Sequence, residues 1–190
     1  MMRKTGAALL PVVMAGIVWI DAARAAEPFT LTSTAFKDGD RIEAKYAGAY
    51  PGRECGGQNV SPPLAWSNPP ANTKSFAIVL YDPDGGRGTG SNHWVAYDIP
   101  AAKTAFAEGE ASVPPRGYVG GKNTLGIDYY FGPCGPSQDS PHHYIFTLIA
   151  TDLAPGTLPP GLTREELLQK LRGHALGPAT LVGKYVRPGP

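Results

Sequence analysis

The chain has 190 residues, with 17 Lys plus Arg against 16 Asp plus Glu, 42% hydrophobic residues, 24 Gly and 20 Pro. That length supports one sizeable core and is short for two full domains. A net charge of +1 with no basic or acidic block leaves no broad electrostatic footprint for nucleic acid or an anionic membrane, so partners must be recognised locally, in a pocket.

The first feature in chain order is a processing signal. Arg3 and Lys4 precede an apolar stretch from Ala7 to Ile20, and Ala23-Arg24-Ala25 follows, a spacing of small residues that suits a signal peptidase. Cleavage after Ala25 is expected, with residues 1–25 as signal peptide and 26–190 as a single domain. An uncleaved anchor is the rival reading, but the run is only 14 residues long and carries Pro11, and a bilayer span needs roughly 20 apolar residues. The expected location is therefore periplasmic or secreted, with no membrane span after cleavage. In an oxidising compartment the two cysteines, Cys55 and Cys134, are candidates for one disulfide. Two separate thiols remain the alternative, because spacing cannot prove contact.

Gly and Pro punctuate apolar runs instead of forming a tract, which indicates a loop-rich β domain. Short runs rich in Val, Ile, Thr, Tyr and Phe predict strands over Phe29 to Thr34, Arg41 to Tyr46, Ser75 to Tyr81, His93 to Ile99, Tyr144 to Thr151 and Ala179 to Val186. The stretches 76–80 and 144–150 are almost continuously apolar, which fits central strands buried on both faces. Ser61 to Pro70 reads as an ordered loop anchored by Trp66. One helix is expected, from about 164 to 172, because Thr163 and Glu166 form a capping box and Leu167, Leu168 and Leu171 an apolar stripe. It should pack on the sheet edge. The fold class is mainly β, a β-sandwich with a small helical addition.

The chemistry gathers in two segments. Asp82-Pro83-Asp84-Gly85 ends one predicted strand and His93-Trp94 opens the next. Gly132-Pro133-Cys134-Gly135-Pro136 is followed by His142-His143-Tyr144 at the start of another. If these strand ends meet, two imidazoles, two carboxylates and the amides around Gly135 form a pocket able to bind an anion. The plainer reading is that Asp-Pro-Asp-Gly is a turn and each histidine a surface residue. Asp82 and Asp84 supply only the first two ligands of a calcium loop whose twelfth position is His93, so no EF-hand is present. The glycines at 86, 88 and 90 precede a strand and no Lys-Ser/Thr, which removes a phosphate-binding loop of nucleotide-binding type. Gly-x-Ser-x-Gly, His-Glu-x-x-His and Cys-x-x-Cys do not occur. A metal site built from His93, His142, Asp82 and Asp84 is a weaker alternative.

Taken together, Cys55-Gly56-Gly57-Gln58-Asn59-Val60-Ser61-Pro62-Pro63-Leu64-x-Trp66, Tyr81-Asp82-Pro83-Asp84, His93-Trp94-Val95, Gly132-Pro133-Cys134-x-Pro136 and His142-x-Tyr144 resemble the phosphatidylethanolamine-binding protein family. The cysteine pair and export signal are similar to its bacterial branch, the Raf kinase inhibitor-like proteins. The resemblance covers about residues 29 to 187. It implies a Greek-key antiparallel β-sandwich with a small cavity that takes phosphate-type anions or a phospholipid headgroup, without metal or organic cofactor and without catalysis. Carried over by residue, the cavity would be lined by Asp82, Asp84, His93, Cys134, Gly135, Pro136, His142 and Tyr144.

Four departures from the family pattern stand out: Gly85-Gly86 in place of Ala-Pro, Gly135 in place of a proline, His143 in place of an arginine, and Asn123-Thr124-Leu125-Gly126 in place of an Asn-Asp-Phe-Gly run. The rim glycines should loosen the mouth of the pocket, and loss of the arginine removes a permanent cation. Three functions compete: an exported anion or headgroup binder, an inhibitory module acting on a protease, kinase or host factor, and, less favoured, a hydrolase using a histidine base. The resemblance is also compatible with a homodimer.

Overall fold

The computed structural model describes Met2, residues 27–135 and residues 140–187. The expected signal segment, apart from Met2, and the candidate ligand residue Pro136 lie outside the described residues.

In chain order the elements are β1 (Thr30–Thr32), β2 (Ala49–Tyr50), β3 (Arg53–Glu54), β4 (Leu64–Ser67), β5 (Ser75–Asp82), the short turn of helix α1 (Gly85–Gly88), β6 (Ser91–Pro100), β7 (Ala105–Phe106), β8 (Val119–Gly120), β9 (His142–Thr151), α2 (Arg164–Lys170) and β10 (Ala175–Tyr185). Two short 3-10 turns, Ala44–Tyr46 and Glu110–Ser112, complete the set. A five-stranded antiparallel sheet has the order β10-β9-β5-β6-β8, and a three-stranded one the order β1-β4-β7. The chain is thus mainly antiparallel β, as the strand pattern predicts.

The two long apolar runs form β5 and β9, interior strands of the large sheet. Along β5 the side chains alternate as the pleat requires. Phe76, Ile78 and Leu80 join Trp94, Phe146 and Leu148 against Leu31, Leu64, Trp66 and Phe106 of the smaller sheet, making the sandwich core. Ala77 and Val79 point the other way, into a second cluster with Val95, Tyr97, Leu162, Leu167 and Leu171. Burial on both faces explains why these runs lack polar alternation.

Three expectations need correction. Helix α2 forms with its capping box, Thr163 Oγ1 accepting from Glu166 N at 3.3 Å and Glu166 Oε2 from Thr163 N at 2.9 Å. It lies on the outer face of the large sheet and not at its edge, because Leu167 and Leu171, four apart, cover Ala77 and Val79. The segment Arg41 to Tyr46 is not a strand. Arg41 makes a single bridge to Lys184, and the chain then turns into the 3-10 element that buries Tyr46. Its carbonyls serve the loop that follows: Lys45 O accepts from Gln58 N and Val60 N, and Ala47 O from Asn59 N. Within the expected loop Ser61 to Pro70 lies β4, with Leu64 and Trp66 inward and Ala65 and Ser67 outward. Trp66 does anchor it, on Phe76 and Phe106.

The register sets the position of the site. Tyr81 pairs with Asn92 on one side and with Ile145 on the other, so the end of β5 and the starts of β6 and β9 meet at one end of the sheet. Among the described residues no helix is long and apolar enough to cross a membrane.

Candidate functional site

At that end lies a cavity of about 430 Å³ whose lining includes Asp82, Asp84, His93, Cys134 and His142. Its centre is Asp82, the last residue of β5, which is only 2% exposed. Oδ1 accepts from the backbone of Asp84 at 3.0 Å and of Gly85 at 2.9 Å, the bonds of an Asx turn. The second oxygen serves the site: Oδ2 is 2.9 Å from His142 Nδ1 and 3.8 Å from His93 Nε2. The turn and the site are therefore two ends of the same carboxylate.

Both imidazole tautomers follow from their partners. His93 Nδ1 lies 3.0 Å from the carbonyl oxygens of Phe131 and Gly132, and carbonyls only accept, so Nδ1 carries the hydrogen. His142 Nδ1 donates likewise to Asp82. Each ring keeps Nε2 without a protein hydrogen bond among the described residues. Phe131 stacks on His93 at 5.7 Å and 6°, and Tyr144 meets the same ring edge-on, so the imidazole is held by packing as well as by hydrogen bonds.

Tyr144 and Gly135 stand behind the cavity wall. Tyr144 is fully buried; its phenol accepts from Cys134 N at 3.1 Å. Burial, with the nearby Asp82 charge, pushes that phenol well above its ordinary value, so it stays protonated. A Cβ on Gly135 would touch His142 Cγ at 3.4 Å and Tyr144 Oη at 3.5 Å. Cys134 itself is joined to Cys55 by a disulfide, which ties the cavity wall to the Cys55–Trp66 segment. Asp84 is at the rim, about half exposed, with Oδ2 accepting from His143 N at 2.8 Å and from His143 Nδ1 at 2.9 Å. Gly85 is a packing glycine more than a loosening one, for a Cβ there would come within 2.7 Å of Ser91 Oγ and 2.9 Å of Asp82 Oδ2.

Burial alone would raise the Asp82 carboxyl, but the His142 hydrogen bond and the neighbouring His93 imidazole outweigh it and hold the group below its ordinary 3.8. A depressed folded-state value gives stability that is complete above the unfolded value and is lost as pH falls through the folded one. Acid unfolding should therefore steepen below about pH 4, and Asp82→Asn should flatten that limb. Equal acid limbs in denaturation curves of the two proteins would contradict the pairing.

Several lining residues are absent from the set predicted by sequence. Arg87 is one, held at φ 60 in the turn after Gly86; it is the only Arg or Lys among the described lining residues. Ser91, Asn92, Thr124, Leu125 and Phe131 are others. The Asn123 side chain positions one of them, Leu125, together with His93: Nδ2 donates to His93 O, and Oδ1 accepts from Leu125 N and Ile127 N. Asn59 acts in the same way, Nδ2 donating to Tyr130 O at 3.0 Å and Oδ1 accepting from Gly132 N at 2.9 Å, and so fixes the carbonyls that orient His93. On the weaker metal alternative, among the described residues no group of three or more His, Cys, Asp or Glu is arranged to hold a metal.

Comparisons with known proteins agree with this architecture. The UPF0098 protein of Methanothermobacter thermautotrophicus is 39% identical over 159 residues, covering 83% of this chain and 98% of that protein. A Mycobacterium tuberculosis protein named as a lipoprotein, LppC, is 38% identical, covering 86% of this chain and 75% of its own. Among solved structures, Escherichia coli YbcL, described as a new member of the mammalian PEBP family, superimposes with a TM-score of 0.74 at 31% identity, over 83% of this chain and 98% of YbcL. Residues 32–186 match the family described as phosphatidylethanolamine-binding protein. With that match spanning most of the chain, and with its fold and motif segments assembled as described, the protein belongs to the phosphatidylethanolamine-binding protein family.

Proposed function

We propose that the chain is a non-catalytic binding protein whose cavity takes a small phosphate-type anion, free or as a headgroup. The observation that carries this reading is the pair of imidazoles on one buried carboxylate, with His142 Nδ1 2.9 Å from Asp82 Oδ2. With its Nδ1 donating to Asp82, His142 keeps Nε2 for the anion, to which a charged ring makes a charge-assisted hydrogen bond. Arg87 at the mouth adds a permanent cation with a planar donor fork. The volume, about 430 Å³, is in the range of small-molecule sites.

Binding without turnover is favoured by what surrounds the imidazoles. Among the described residues no side-chain hydroxyl or thiol hydrogen-bonds to His93 or His142, and the cysteine in the wall is held in a disulfide. An activated nucleophile would need such a contact. The disulfide and the lipoprotein-named relative support a place outside the cytoplasm. In calorimetric titration with phosphoethanolamine, His142→Ala should bind about thirtyfold more weakly, the loss expected of one charge-assisted hydrogen bond. Equal affinity of the variant and the unmodified protein would overturn the assignment.

A further inference from the structure

Resting on the anion-binding reading, we propose that the cavity prefers phosphate-type ligands that also carry a carboxylate, and that Arg87 at its mouth is the residue that reads this second anion. The juxtaposition that carries it is a guanidinium without a partner among the described residues, on left-handed backbone, beside lining carboxylates that are already bonded.

Arg87 stands where the fold alone favours glycine. Its backbone is left-handed, at φ 60 and ψ 38, directly after Gly86 at φ 57 and ψ 29. The turn is closed by Gly90 N donating to Gly85 O at 2.9 Å and Thr89 Oγ1 to Gly86 O at 2.8 Å, bonds that need nothing from the Arg87 side chain. Left-handed backbone is costly for any residue with a Cβ. Nothing among the described residues offsets that cost, for the side chain is exposed and its guanidinium makes no hydrogen bond, ion pair or ring contact there. Strain without a return in the fold is characteristic of ligand clamps, and Arg87 lines the cavity.

The two carboxylates of the lining are already bonded. Asp82 accepts from two backbone amides on Oδ1 and from His142 on Oδ2. Asp84 Oδ2 accepts from both the backbone and the ring of His143. Arg87 is therefore the open charge among the described lining residues, and it is positive. A phosphate held on the histidines fills only part of a cavity of about 430 Å³, so the rest of the ligand extends toward the mouth. A carboxylate there matches the planar fork of a guanidinium, with two parallel N–H donors.

The test is calorimetric titration at pH 7 with two pairs of ligands that differ by one carboxylate each. O-phosphoserine and phosphoethanolamine represent free ligands; glycerophosphoserine and glycerophosphoethanolamine represent lipid headgroups. The serine compound of a pair should bind at least about fivefold more tightly than its ethanolamine counterpart. A preference in the free pair alone assigns the site to free phosphorylated acids, and one in the glycerol pair as well extends it to a headgroup. Arg87→Gln should bring each pair to within about twofold. Arg87→Gly, which takes the same backbone without strain, should do the same with no marked fall in its urea midpoint, so that the loss is not one of folding. Equal affinities within both pairs, or a preference that survives both variants, would overturn the role of Arg87 while leaving anion binding intact. Failure of all four ligands to bind the unmodified protein would overturn both.

Discussion

The double variant Cys55→Ser, Cys134→Ser should be about 4 kcal/mol less stable than the unmodified protein in urea denaturation, the chain-entropy expectation for closing a loop of this length. The two half-cystines are 79 residues apart in sequence, so without the link the unfolded chain regains much of its freedom. Native contacts add to the loss. Cys55 is fully buried, and its carbonyl accepts from the Tyr185 hydroxyl at 2.8 Å. Cys134 lines the cavity, and its N–H supports the Tyr144 phenol beneath Asp82. The variant should therefore also bind phosphoethanolamine more weakly. A stability change below about 1 kcal/mol would mean that the packed wall holds itself together without the crosslink.

The second large effect is expected at Asn59, which touches neither the cavity nor an imidazole. Asn59→Ala removes a donor to Tyr130 O and an acceptor for Gly132 N, leaving two polar backbone groups without their partner, and places alanine at φ 56. Losses of this kind cost about 1 to 3 kcal/mol for each partner left unsatisfied, and left-handed backbone adds about 1 kcal/mol. A total of at least about 3 kcal/mol is expected. The Phe131 and Gly132 carbonyls that hold His93 Nδ1 belong to the same segment, so Asn59 is a positioning residue. Its variant should show an altered His93 ring signal in NMR spectra even where the chain remains folded. An unchanged His93 signal would limit Asn59 to a purely structural part.

Much of the site was legible because its motifs sit on predicted strand ends. Antiparallel pairing of β5 with β6 and β9 is sufficient to bring Asp82, His93 and His142 to one end of the sheet. The helix cap at Thr163 was legible for a similar reason, since its two partners are three residues apart. What local pattern could not show were long-range clamps: Asn59 reaches carbonyl and amide groups 71 and 73 residues away. Arg87 enters the lining only because Gly86 and Arg87 both turn left-handed. Tyr144 was expected on the lining and lies behind it: it shares the face of β9 with His142 but sits two residues further into the strand, where it is fully buried. Arg41 to Tyr46 read as a strand on composition, yet Ala44, which in a strand would share the inward face with the buried Ile42 and Tyr46, is exposed.

The most direct test of the central claim is ¹⁵N NMR of the histidine side chains during titration with phosphoethanolamine. The structure requires Nδ1–H on both His93 and His142 before ligand is added. If the cluster is the anion site, the Nε2 signals of both rings should shift saturably, while those of His143 and His174, bonded to Asp84 and Asp152 away from the cavity floor, move little. Unchanged His93 and His142 signals at millimolar ligand would contradict anion binding at the Asp82 cluster.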